Sequence, residues 1–206
     1  MGQELFEIYN KRHQYLGTAP RDEVHANGYW HHTFHCWIVR DTPSGRNVLF
    51  QKRQTMKDTF PDHYDITAAG HLAAGETVRD AVRELHEELG LLVPYESLVP
   101  IMTVRSETEG TANSVPFIDR EFSSVFGLLA AQPIADYVLQ IDEVAGLYEA
   151  DLEKILHLFM GKVSSISADG ISADGALIAS QRITRDQFVP HGIPYYTDVF
   201  KALRNL

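Results

Sequence analysis

Cysteine is nearly absent from this chain. Cys36 stands alone among 206 residues, so no disulfide can form within it, and its apolar neighbours point to a core position in a reducing compartment. Positive charge is scarce as well. The 18 Lys and Arg face 28 Asp and Glu, for a formal net charge of −10, which argues against nonspecific binding to a nucleic-acid polymer or an anionic membrane surface. No apolar run reaches the roughly 20 residues of a membrane-spanning helix. The acidic start Met1-Gly2-Gln3-Glu4-Leu5-Phe6-Glu7 lacks the basic and apolar regions of a signal peptide, and Phe6 stands where a myristoylation signal on Gly2 needs Ser or Thr. With 44% hydrophobic and 22% charged residues, the composition is that of an ordinary globular protein. The expectation is one cytoplasmic domain over residues 1–206, with a homodimer allowed.

Residues 4–9 and 13–16 read as a short hairpin, followed by a turn-rich stretch from Gly17 to Asp22. Strands are expected over 33–40 and 47–52, joined by the turn Thr42-Pro43-Ser44-Gly45, and again over 99–107 and 122–129. An amphipathic helix fits 151–160 and a closing helix 195–206. The tetrapeptide Ser167-Ala168-Asp169-Gly170 recurs as Ser172-Ala173-Asp174-Gly175. Two copies are too few for a solenoid, so turn chemistry between short strands at 162–166 and 176–178 is expected.

The densest signal is Arg83-Glu84-Leu85-His86-Glu87-Glu88-Leu89-Gly90. Glu84, Glu87 and Glu88 stand at i, i+3 and i+4 and share one side of a helix. Packed carboxylates repel, and divalent cations remove that cost; an all-oxygen set suits Mg²⁺ or Mn²⁺, which also bind phosphate oxygens. Ala81, Val82, Leu85 and Leu89 form the adjoining stripe that would bury against a sheet, and Gly90 ends the helix.

Together with the preceding loop Gly70-His71-Leu72-Ala73-Ala74-Gly75-Glu76, this run resembles the Nudix box, the motif of a superfamily that mostly cleaves diphosphate bonds. The resemblance implies an α/β/α sandwich with a central mixed β-sheet. One departure stands out: six residues, Thr77 to Val82, separate Glu76 from Arg83, where the family pattern has seven. Thr77 and Asp80 look like a capping box, and a residue missing after such a cap would rotate the carboxylate face by about 100°. The expectation is that the helix begins later and the loop absorbs the change.

Residues 21–88 resemble more narrowly the branch containing type 1 isopentenyl-diphosphate isomerase and its related hydrolases. That resemblance implies a metal site of His25, His31 and His71 with Asp119 and Glu121, and diphosphate recognition by Arg21, Arg53 and Lys57. The residue types agree: imidazoles and carboxylates suit Mn²⁺, Mg²⁺ or Zn²⁺, and Arg and Lys suit phosphate oxygens. Along the strand, alternation points His31, Thr33 and His35 one way and His32 and Phe34 the other. The isomerases place an acid-base Cys immediately before the Gly-His pair, and here that residue is Ala69. The reading is therefore a metal-dependent hydrolase of a small organic or nucleoside diphosphate. Glu84, Glu87 and Glu88 would hold Mg²⁺ or Mn²⁺, Arg83 would orient the carboxylates, and a helix Glu or Glu121 would serve as base. A divergent isomerase and a noncatalytic diphosphate sensor are the alternatives.

Overall fold

Residues 30–42 alternate buried side chains between two faces and form β3 (Trp30–Thr42). This strand organises the sheet in a computed structural model that describes residues 4–112 and 115–206. The reading made for Gly2 lies outside the described residues. One edge of β3 pairs in parallel with β8 (Val115–Leu129), from Trp30 opposite Arg120 to Val39 opposite Leu129. The other edge is shared by three strands in succession. These are β1 (Leu5–Tyr9) at Trp30, β6 (Ala68–His71) at Thr33 to Cys36, and β4 (Gly45–Arg53) at Val39 to Thr42. Where β6 and β4 diverge the ladder is interrupted. The Thr67 hydroxyl repairs it, accepting from Ile38 N at 3.0 Å and donating to Leu49 O, so two backbone groups that would be orphaned in the core find partners.

Beyond β4, the sheet continues antiparallel through β9 (Val144–Asp151), β10 (Ile166–Ser172) and β11 (Leu177–Ile183). The strand β2 (Tyr15–Pro20) lies outside β1, β5 (Tyr64–Asp65) pairs with β4, and β7 (Val99–Ala112) pairs with β8. Phe34, Cys36 and Ile38 bury on one face against Ala81, Leu85 and Leu89 of the segment entering and forming α2 (Arg83–Leu89). Trp37 and Val39 bury on the other against α3 (Leu152–Phe159) and α4 (Ile193–Leu203). Helices thus cover both faces of a mixed sheet, the expected α/β/α arrangement.

Several local expectations need correction. The stretch from Gly17 to Asp22 is not a run of turns: β2 continues to Pro20, and Arg21 opens α1 (Arg21–Asn27), with Pro20 extended at its N-cap. The first copy of the tetrapeptide repeat lies inside β10, because β9 is there to pair with it and Ile166 and Ala168 alternate into the core. Only the second copy makes a turn. His71 belongs to strand β6, not to the loop after it. At Thr77 the capping box is one-sided: both Thr77 N and its hydroxyl donate to Asp80 Oδ2. A 3-10 turn over Asp80–Val82 then leads into α2, so the helix does begin late. Gly90 ends it at φ 67°, a left-handed conformation in which its N–H still reaches His86 O at 2.9 Å.

Candidate active site

Strand β6 is only four residues long, yet it touches every part of the site. On its α2 side Gly70 lies directly beneath Glu84, where an added Cβ would come within 2.2 Å of the carboxylate and force it to shift. Ala69 N donates to Glu88 Oε2 at 3.2 Å, His71 O accepts from Arg83 Nη2 at 3.3 Å, and the His71 ring points to the opposite side.

Arg83 is the hub of the helix. Its guanidinium donates to Glu76 Oε1 and Oε2 at 2.9 and 3.0 Å, to Glu84 at 2.7 Å and to Glu87 at 2.9 Å, the orienting contacts expected of it. Glu76, whose place the shortened spacing left open, is fixed by this fork and by Ala73 N at 2.8 Å. Glu84 and Glu88 are buried one turn apart, whereas Glu87 is half-exposed at the rim. Glu84, Glu87 and Glu88 are not among the described groups whose ligand atoms converge within 4.8 Å; Arg83 sits among them. Among the described residues Glu88 has no cationic partner within ion-pair distance. Burial, reinforced by the charge of Glu84, pushes its pKa up to about 8.

The imidazole side is differently built. His25 comes from α1, His31 from β3, His71 from β6, and Asp119 and Glu121 from β8. The register places His31 opposite Glu121 and Thr33 opposite His71, so all point from one sheet face. Arg21 and His25 stand one turn apart on α1, and both reach the cluster, Arg21 at His71 and His25 at Asp119. The ligand atoms of His25, His31 and His71 lie within 4.8 Å of one another, as do those of His31, Asp119 and Glu121. His31 Nε2 stands 3.5 Å and His25 Nε2 3.7 Å from Asp119 Oδ1, and His71 Nε2 is 4.0 Å from Glu121. The Nε2 atoms of all three histidines and Asp119 Oδ1 are buried without a hydrogen-bond partner. Burial lowers the pKa of each imidazole and leaves it neutral. His31 Nδ1 lies 3.1 Å from Tyr29 O, which fixes the proton there and the lone pair on Nε2. Neutral nitrogens and a carboxylate oxygen, orphaned and convergent, fit a divalent cation.

The three cations expected to bind diphosphate are each held by a carboxylate. Arg21 pairs with Glu4 at 3.2 Å and lies 3.4 Å from His71 Nδ1; Arg53 pairs with Asp65 at 3.0 Å; Lys57 pairs with Glu143. Burial lowers the Lys57 pKa, and the charges of Arg53 and Arg21 push the same way, as expected of cations sharing one neighbourhood. Three contributors were not foreseen: Gln51, whose amide donates to Glu88 at 3.4 Å, and the pair of Asp65 with His191. Gln51 carried a weak signal, a polar residue ending the apolar run Val48-Leu49-Phe50. Asp65 and His191 carried none, being 126 residues apart.

A sheet between helices, with an acidic helix following a glycine-containing strand and loop, is the arrangement the Nudix resemblance implies, and the comparisons with known proteins agree. The family described as NUDIX domain matches residues 30–156. The chain belongs to the Nudix family of hydrolases, which act on small molecules and generally use divalent metal ions. It is 36% identical to a Nudix hydrolase of Clostridium acetobutylicum over 98% of both chains. It is also 39% identical over 90 residues to an isopentenyl-diphosphate Delta-isomerase of Mycolicibacterium vanbaalenii, covering 43% of this chain and 48% of that one. A crystal structure of a Deinococcus radiodurans protein shares the fold at 18% identity and a TM-score of 0.56, covering 77% of this chain and 90% of that one. No helix among the described residues is long and apolar enough to cross a membrane.

Proposed function

We propose that residues 1–206 act as one domain that hydrolyses the phosphoanhydride bond of a small organic or nucleoside diphosphate with the aid of Mg²⁺ or Mn²⁺. One observation carries this reading: four residues of β6 join a buried carboxylate helix to a convergent set of orphaned imidazole and carboxylate atoms. Glu84, Glu87 and Glu88 would hold cation on one side, and His25, His31, His71, Asp119 and Glu121 on the other. Bound there, divalent cations polarise phosphoryl oxygens and stabilise the leaving group. Arg21, Arg53 and Lys57 would draw the diphosphate in and orient it, exchanging their carboxylate partners for phosphate oxygens. Arg83 holds the helix carboxylates at their spacing.

Isomerisation is the weaker reading because the chain offers no thiol where the isomerase resemblance puts one. Ala69 cannot exchange a proton, and Cys36 lies on the opposite sheet face, fully buried, its thiol pushed far up by burial. The test is a panel of diphosphates assayed for phosphate and pyrophosphate release and for product mass, with and without added Mg²⁺ or Mn²⁺. Metal-dependent release from at least one compound is expected. No release from any, with binding retained, would favour a noncatalytic sensor.

A further inference from the structure

Asp65 is a buried carboxylate that touches neither of the two candidate cation sites. Its side chain is 5% exposed, and it is fully engaged: Oδ1 accepts from Ile66 N at 2.9 Å and stands 2.8 Å from His191 Nε2, while Oδ2 accepts from Arg53 Nη1 at 3.0 Å. Burial alone would favour its protonated form, but His191, Arg53 and the Ile66 N–H hold it well below the usual carboxylate range. An ionised carboxylate only accepts, so the proton in the short contact belongs to His191 Nε2. In its neutral form His191 carries its lone pair on Nδ1, and no hydrogen bond to that nitrogen occurs among the described residues.

The place of this pair gives it meaning. His191 lies in the turn before α4, with its side chain 23% exposed, and the rings of His35, Tyr195 and Tyr196 surround it at 5.8, 5.1 and 5.9 Å. His35 shares a sheet face with His31 and is itself committed, its Nδ1 3.0 Å from the Tyr195 hydroxyl. Asp65 stands opposite Gln51, whose amide donates to Glu88 at 3.4 Å, and the ring of His191 lies beside His35 on the strand that carries His31, so the pair borders both halves of the site. Through Arg53 the same carboxylate is tied to the diphosphate clamp. Carboxylates that hold a cation make poor bases, because their lone pairs are already engaged.

Resting on the hydrolase reading above, we infer that His191, oriented by Asp65, is the proton acceptor for the attacking water. In this step the water oxygen forms a bond to phosphorus while one of its protons passes to Nδ1. The bridging P–O bond breaks, and its electron pair leaves with the departing phosphate. Asp65 stabilises the resulting imidazolium through the Nε2–H bond, and the proton then passes to solvent. Asp65 is a positioning residue in this scheme, since it acts through His191 and Arg53.

The test uses the full chain, Mg²⁺ and whichever diphosphate the wild type hydrolyses. His191→Gln keeps an N–H for Asp65 but has no basic lone pair, so kcat should fall by about a hundredfold or more, with KM and metal content within threefold of wild type. Adding imidazole and its methylated derivatives to His191→Gly should restore turnover, more strongly the more basic the additive. Asp65→Asn should lower kcat and also raise KM, because Arg53 loses its anchor. A His191→Gln enzyme within threefold of wild-type kcat overturns the inference while leaving the hydrolase reading intact. So does rescue that ignores the basicity of the additive, which would mark a space-filling role. A wild type that hydrolyses no diphosphate overturns both.

Discussion

The two clusters joined by β6 differ in how their charges are answered. On the carboxylate helix a single guanidinium serves Glu76, Glu84 and Glu87, so most of the negative charge has a partner within the protein. On the imidazole side, four buried ligand atoms face one another without a hydrogen-bond partner among the described residues. Leaving a buried polar atom unsatisfied costs about 1–3 kcal/mol, so the imidazole cluster is costly until something cationic fills it. One half of the site has the convergent donor set a cation would satisfy; the other already has a resident positive charge in Arg83.

The sharpest way to break that comparison is Glu88→Gln. It removes the helix carboxylate that has no cationic partner among the described residues while keeping its volume and its acceptor for Ala69 N. Hydrolysis at limiting Mg²⁺ should fall by about a hundredfold or more, with the melting temperature in chelator unchanged or higher, because a buried ionisable group has been replaced by a neutral amide. Turnover near wild type would mean that the helix acids serve only Arg83. On the other side, His71→Ala should weaken cation binding at least tenfold, roughly the size of effect seen for metal-site partners. Metal analysis after dialysis reads this directly. Equal metal content in variant and wild type would remove His71 from the ligand set.

Gly70→Ala tests the joint between the halves. The new methyl would collide with the Glu84 carboxylate, and overpacking of this kind costs about 1–3 kcal/mol, read as a lowered denaturation midpoint. Because Glu84 must move, metal-dependent turnover should fall too, while His71 keeps its register with Thr33. A variant as stable and active as wild type would show that β6 and α2 are not rigidly coupled.

The carboxylate half was far more legible in the sequence than the imidazole half. Its acids lie within five consecutive residues, where helical periodicity alone puts them on one side. The late helix start could also be read from the short spacing. The imidazole cluster draws on α1, β3, β6 and β8, and no local rule relates His25 to Asp119; only the family resemblance assembled it. What stayed hidden was chiefly α1, masked by the Gly and Pro of the preceding strand. The course of β6 was hidden too, because a four-residue strand containing Gly reads as loop. The Asp65–His191 pair depends on α4 docking against the sheet, a tertiary fact that periodicity does not encode.

The smallest expected effect concerns Ala69, which ties the halves together by its backbone and contributes little by its side chain. Its N–H holds Glu88, and it pairs with His35 across the ladder. The side chain is partly buried against the cluster around Trp37, a setting that a thiol of slightly greater volume can enter. Given isopentenyl diphosphate in deuterated water, the wild type should place no deuterium in the carbon skeleton, since skeletal exchange needs a proton donor and acceptor where Ala69 offers a methyl. Ala69→Cys should introduce a trace of deuterium and of dimethylallyl diphosphate, detectable by mass spectrometry, while phosphate release from its preferred diphosphate stays within a fewfold of wild type. Such a gain would mean that the imidazole half already suits the isomerase reaction and that one side chain separates the two chemistries. Deuterium incorporation by the wild type at an enzymatic rate would instead reverse the proposed function, and the proton would have to come from a group other than the sealed Cys36.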